Sequence, residues 1–159
     1  EALIEKDTKE IIGNIDAEAE KYNCNIFIPE DCSVSNDFDG SRKIKKLESI
    51  GKEEIILDIG PETIKRIESI VDKSKTVLWN GPAGYFENKN FLTGTLAIAK
   101  KISESTSKNS LISILGGGDT ISAINKSKDN FAFTHLSTAG GAFLEFLEGK
   151  DLPGLNVLK

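Results

Sequence analysis

From residue 55 onward the chain alternates short β-branched runs with stretches of helical period, a pattern that restricts it to folds built around a parallel sheet. The runs are Ile55-Ile56-Leu57-Asp58-Ile59, Thr76-Val77-Leu78-Trp79, Leu111-Ile112-Ser113-Ile114-Leu115 and Phe131-Ala132-Phe133-Thr134-His135-Leu136. Between them, Ile64, Ile67, Ile70 and Val71 form one helical face, and Phe91, Thr95, Ile98, Ala99 and Ile102 form another. A last helix carries Phe143, Leu144, Phe146 and Leu147 and stops at Gly149, since glycine tolerates the positive φ of a C′ position. The expected class is α/β, an open and mainly parallel sheet.

Upstream, Ile4, Ile11, Ile12, Ile15, Ala19 and Tyr22 recur near a 3.6-residue period and predict an amphipathic helix over residues 3–22 with one face on a core. Asn25-Ile26-Phe27-Ile28, closed by Pro29, reads as a short buried strand. Residues 30–54, with Ser33, Ser35, Asn36, Asp37, Asp39 and Gly40, read mostly as loop or irregular edge. No repeat or linker divides the 159 residues, and a single domain is expected.

In open parallel sheets ligands gather at the carboxyl ends of strands, and three unusual segments fall there. Gly116-Gly117-Gly118-Asp119-Thr120 follows one strand and opens a helix, so the backbone can approach a phosphate closely while free N–H groups attract its charge. Asp119 has two readings: an N-cap, or a carboxylate that shares a magnesium ion with phosphate oxygens. Ser137-Thr138-Ala139-Gly140-Gly141-Ala142 repeats the device before the last helix; its glycines serve either a phosphoryl group or tight helix packing. The third segment, Trp79-Asn80-Gly81-Pro82-Ala83-Gly84-Tyr85-Phe86-Glu87, is dense in turn residues and ends on a glutamate able to accept from ribose hydroxyls or to stand solvated. His135, the sole histidine, reads as a structural strand-end residue, and Trp79 as core.

The net charge of −5 and a pI near 5.0 exclude a general affinity for nucleic acid, so an anionic ligand must be held by local geometry. Cys24 and Cys32 lie in no CxxC or zinc spacing and read as reduced thiols. With no apolar run near the ~20 residues of a bilayer span and no signal peptide at Glu1-Ala2-Leu3-Ile4-Glu5, the expected address is the cytoplasm, away from membranes. The chain contains no methionine, and the expectation is that other residues preceded Glu1.

Taken in order, Leu57-Asp58-Ile59-Gly60-Pro61, Trp79-Asn80-Gly81-Pro82 through Phe86-Glu87, the Gly116 loop, His135-Leu136-Ser137-Thr138, and Leu147-Glu148-Gly149-Lys150 with Leu152-Pro153-Gly154 resemble phosphoglycerate kinase. The resemblance runs from about residue 3 to the end. It implies a three-layer, Rossmann-like sheet, with residues 1–159 an incomplete C-terminal nucleotide-binding domain of a two-domain kinase. The family's N-terminal phosphoglycerate-binding domain and the start of its C-terminal domain have no counterpart in this sequence.

The implied reaction is phosphoryl transfer between 1,3-bisphosphoglycerate and ADP, giving 3-phosphoglycerate and ATP, with Mg2+ as the cofactor of ATP/ADP. Leu57, Gly84 and Tyr85 would border the adenine, Glu87 the ribose, and Asn80 the polyphosphate side. Gly117, Gly118 and Thr120 would contact phosphates, Asp119 would coordinate magnesium, and the N–H groups of Gly140 and Gly141 would face the moving phosphoryl group. The phosphoglycerate would bind through the missing domain, the full-length protein would be a monomer, and residues 1–159 alone would be inactive.

Three substitutions depart from the family pattern: Ile56 for a glycine, Tyr85 for a smaller aliphatic residue, and Ala139 for the first glycine of the last loop. They keep open a non-catalytic nucleotide-binding or scaffold domain with a closed adenine pocket. A dinucleotide-dependent oxidoreductase ranks last, because no GxGxxG follows a strand with an acidic residue about twenty positions later.

Overall fold

The computed structural model describes residues 8–157. Its elements are α1 (Thr8–Lys21), β1 (Asp31–Ser35), β2 (Lys43–Lys46), β3 (Ile55–Ile59), α2 (Pro61–Lys73), β4 (Thr76–Asn80), α3 (Thr93–Ser107), β5 (Ile112–Gly116), α4 (Gly118–Ile124), β6 (His135–Ser137), α5 (Gly141–Leu147) and α6 (Pro153–Asn156). The fold is α/β. Strands β4-β5-β6 form the expected parallel sheet, with Trp79 level with Leu115 and Asn80 with Gly116. A second sheet, β2-β1-β3, is antiparallel, and it takes in the run at residues 55–59.

The parallel sheet is buried on one side of its pleat. Val77 and Trp79 point into a core of Val71, Ile98, Ile102 and Leu111, while Trp79 and Phe133 also reach a second cluster of Ala99, Leu115 and Ile124. Successive strand residues alternate between faces, so Leu78 and Ile112 lie on the other side, where they are 43% and 53% exposed. That alternation also puts Asn80 on the Leu78 face, opposite Trp79.

Two helices are capped from a neighbouring strand. Helix α2 begins Gly60-Pro61, and neither residue offers a capping side chain, although proline suits the first turn. The carboxylate of Asp31 supplies the cap by accepting from Glu62 N, Thr63 N and Thr63 Oγ1 at 3.0, 2.8 and 2.7 Å. A Cβ on Gly60 would collide with that carboxylate. Helix α3 repeats the arrangement: its N-cap, Leu92, cannot accept, and Gly94 N donates to Asp58 Oδ2 at 2.9 Å.

Several sequence expectations are corrected. Residues 25–28 form no strand, and Ile26 and Ile28 are exposed. The strand lies just beyond, in the polar segment Asp31-Cys32-Ser33-Val34-Ser35, which reads as loop but is wholly buried between β2 and β3. Burial of its polar groups is possible because they are bonded: Asp31 caps α2, and Ser33 Oγ donates to Ile59 O at 3.2 Å and accepts from Arg42 Nε at 2.8 Å. Helix α1 forms, but it buries none of its described residues, and Ile11, Ile12 and Ile15 stay about half exposed; Ile4 lies outside the described residues. The run at residues 131–136 is a strand only from His135. Before it, Thr134 and Ser113 bond through side chains, Ser113 N donating to Thr134 Oγ1 and Thr134 N to Ser113 Oγ. Helix α5 ends as expected: Gly149 has φ 77°, and Lys150 N donates to Glu145 O at 3.0 Å.

Candidate functional site

The carboxyl ends of β4, β5 and β6 bring the glycine loops together. Gly117 has φ 92°, a left-handed conformation that disfavours any side chain, and it turns the backbone from β5 into α4. A Cβ on Gly140 would lie 3.6 Å from the Gly117 Cα, so the loops after β5 and β6 are neighbours. That is ordinary contact distance, and a Cβ on Gly141 or Gly118 would meet nothing within 4 Å. Tight packing therefore does not require glycine at positions 118, 140 or 141.

Asn80, the last residue of β4, faces the same place. Its Oδ1 and Nδ2 would each stand 3.0 Å from a Cβ on Gly117 and Gly116, respectively. The Nδ2 atom is buried and has no hydrogen-bond partner among the described residues. Thr120 is fully buried, and its hydroxyl is committed: it accepts from Gly81 N at 2.8 Å and donates to Gly116 O at 2.9 Å.

Asp119 sits in the first turn of α4 rather than at its cap, which is Gly117, and it makes no capping bond. Its carboxylate is exposed, and no hydrogen bond or ion pair engages it among the described residues. The N-cap reading of Asp119 is thus corrected by the geometry of the turn.

The loop after β4 crosses to the other sheet. Tyr85 N donates to Leu57 O at 2.6 Å, which joins two of the expected adenine-side residues directly. Gly84 is held in tight quarters, where a Cβ would collide with Phe91 O and crowd the Asp58 carboxylate. Burial pushes the Asp58 carboxyl above the usual carboxylate range, opposed in part by the N–H groups of Gly94 and Ile59 and by Arg42. The Tyr85 ring packs on Phe38 with centroids 5.0 Å apart, and Glu87 is exposed at the rim of a cleft of about 500 Å³ that Asp39, Asn90 and Lys126 also line.

Of the expected residues, two groups are assembled: Asn80, Gly117, Gly118, Asp119, Thr120, Gly140 and Gly141 at the parallel-sheet end, and Gly84, Tyr85 and Glu87 along the loop after β4, with Leu57 of β3 joined to them through Tyr85 N. His135 is the exposed first residue of β6, whereas the expected run of 131–136 places it near the strand's carboxyl end. Sequence reasoning missed Lys126, whose Nζ donates to Phe86 O at 2.9 Å and Glu87 O at 3.3 Å. A lysine after a short helix carries no motif that would have flagged it.

The family model for phosphoglycerate kinase matches residues 1–150. The chain belongs to the phosphoglycerate kinase family. The phosphoglycerate kinase of Wolbachia pipientis wMel is 46% identical over 155 residues, covering 94% of this chain and 38% of the relative. That of Bradyrhizobium diazoefficiens is 43% identical over 160 residues, covering 99% and 40%. The solved phosphoglycerate kinase of Coxiella burnetii superposes with a TM-score of 0.87 at 35% identity, over 100% of this chain and 41% of that one. The chain thus spans about two fifths of the length of the phosphoglycerate kinases it matches. Among the described residues, no helix is long and apolar enough to cross a membrane.

Proposed function

We propose that residues 1–159 are the magnesium-nucleotide half of a phosphoglycerate kinase, a partial C-terminal domain whose intact protein transfers a phosphoryl group reversibly between 1,3-bisphosphoglycerate and ADP in glycolysis. A separate N-terminal domain holds the phosphoglycerate, and this part alone does not turn over. The intact protein works as a cytoplasmic monomer.

The observation that carries this reading is the Asn80 amide. A buried donor without an acceptor costs about 1–3 kcal/mol, and Asn80 Nδ2 is such a donor beside Gly116 and Gly117. A phosphate oxygen of the nucleotide satisfies it. Backbone N–H groups of Gly117, Gly118 and Thr120 would contact the same phosphates; since the Thr120 hydroxyl is spent on Gly81 and Gly116, its N–H in the first turn of α4 is the donor left for phosphate.

Asp119 would hold the magnesium ion, which neutralises charge on the polyphosphate during transfer. No group of three or more His, Cys, Asp or Glu side chains is arranged for a metal among the described residues. A lone free carboxylate suits magnesium, which keeps several waters and takes one or two carboxylates with phosphate oxygens. Leu57, Gly84 and Tyr85 border the base, Glu87 accepts from the ribose hydroxyls, and the N–H groups of Gly140 and Gly141 face the phosphoryl group, where fixed donors stabilise developing charge. Ile56 remains 55% exposed and Tyr85 leans on Phe38, features that do not favour a sealed adenine pocket.

The test is a coupled assay of the intact protein with 3-phosphoglycerate and Mg-ATP. Turnover that falls at least about tenfold in Asn80→Ala, as loss of an interaction to a charged group implies, supports the reading; a folded intact protein without turnover points instead to the non-catalytic scaffold.

A further inference from the structure

Helix α4 is fastened at both ends to the loop that follows β4. At its start, the Thr120 hydroxyl accepts from Gly81 N at 2.8 Å. Just past its end, the Lys126 side chain returns to the far part of the same loop and donates to Phe86 O at 2.9 Å and Glu87 O at 3.3 Å. The ammonium also stands 5.1 Å from the centroid of the Phe86 ring. Residues 81–87 are therefore spanned by one short helix, with the phosphate-side residues at its first turn and the nucleoside-side residues Tyr85 and Glu87 next to its last tether.

We propose that Lys126 is a positioning residue that sets the distance between the nucleoside-side loop and the phosphate-side turn of α4. The inference rests on the nucleotide reading above. Lys126 lines the cleft that holds Glu87, together with Asp39, Asn88, Lys89 and Asn90. Its three N–H donors suit two backbone carbonyls and an aromatic face, whereas a neutral side chain of the same length offers them nothing. Because carbonyls rather than a carboxylate accept, the tether fixes backbone and leaves the Glu87 carboxylate available to a ribose. Removing the ammonium frees residues 86 and 87 to move, while the Gly81–Thr120 and Tyr85–Leu57 bonds still hold the earlier part of the loop. Nucleoside contacts then weaken and phosphate contacts do not.

The experiment compares two probes on the intact protein, Mg-ADP and Mg-tripolyphosphate, which lacks a nucleoside, in wild type, Lys126→Met and Lys126→Arg. Lys126→Met is expected to weaken ADP about five- to tenfold, the range for losing one or two exposed charge-assisted bonds, and to leave tripolyphosphate unchanged. Lys126→Arg restores ADP binding, since guanidinium also donates to carbonyls. If Lys126→Met does not fold, Lys126→Gln, too short to reach both carbonyls, must give the same split. Equal weakening of both probes, or no weakening of ADP, overturns the proposal while the nucleotide reading stands. A folded wild type that binds tripolyphosphate but not ADP overturns both.

Discussion

The backbone N–H of Gly81 donates to the buried hydroxyl of Thr120 at 2.8 Å, and this bond joins the loop after β4 to the first turn of α4. The same hydroxyl donates to Gly116 O, so one side chain satisfies two backbone groups from two loops. Thr120→Val keeps the shape but leaves both groups unpaired. Expected is a loss of about 1–3 kcal/mol, read from urea unfolding of the intact protein; a change within error would mean that water replaces the hydroxyl at no cost.

Gly117 holds φ 92°, and a Cβ there would stand 3.0 Å from Asn80 Oδ1. Gly117→Ala should cost about 1–3 kcal/mol, because φ 92° with ψ 131° is a backbone region that side chains rarely adopt, and should also displace the Asn80 amide. Nucleotide binding is expected to fall in this variant and to survive in Gly118→Ala, where a Cβ meets nothing. Parallel titrations decide between them.

Asp31 and Asp58 cap successive helices, yet their carboxyl groups shift in opposite directions. Burial raises Asp31, but the N–H groups of Glu62 and Thr63 and the Thr63 hydroxyl outweigh it, and the net shift is down. Its contribution is present above the unfolded carboxylate value of about 3.9 and is lost as pH falls through the lower folded value. Asp58 is raised, so its contribution is present at low pH and lost as pH rises through its folded value. Asp31→Asn keeps one acceptor but sets an amide donor against a helix N–H group; it is expected to cost about 1–3 kcal/mol at pH 7, the cost of leaving a buried donor unpaired, and to flatten the acid limb of a stability curve measured between pH 2 and 6, a range chosen to bracket roughly the carboxylate region.

The two thiols should differ in reactivity. Cys32 is buried on β1, and burial, followed by the charges of Asp31 and Glu54, pushes its thiol up, away from the reactive thiolate. Cys24 is exposed. Iodoacetamide labelling read by peptide mass mapping should modify Cys24 in the folded chain and Cys32 only on unfolding; equal rates would contradict the placement of β1.

Much of this was legible because periodicity follows burial. The faces of α2 and α3 appear in the sequence much as they do in the fold, since Ile64, Val71, Ile98, Ala99 and Ile102 there are buried; the run at residues 55–59 is a strand as expected but lies in the antiparallel sheet, with Ile56 exposed. Segment 31–35 was not legible, because Asp31 and Ser33 are buried by virtue of partners 26 or more residues away, such as Thr63 and Ile59, which no local pattern reports. Ile26 and Ile28 misled for the converse reason: apolar and β-branched, they still lie on the surface. In the site, the glycine loop after β5 announced Gly117, whose positive φ disfavours a side chain. Lys126 stayed hidden, because its role depends on the return of a side chain to residues 39 and 40 positions earlier.

The most direct measurement is a calorimetric titration of the intact protein with ADP, with and without magnesium, beside Asp119→Ala. Asp119 offers an exposed carboxylate, unengaged among the described residues, at the turn that Gly117 and Asn80 shape. Expected is saturable binding that weakens about tenfold or more when either magnesium or the carboxylate is removed, as loss of a charge-assisted contact implies, with no further loss when both are absent. Binding indifferent to both, or none by the folded protein, would contradict a magnesium-nucleotide site at the end of this sheet.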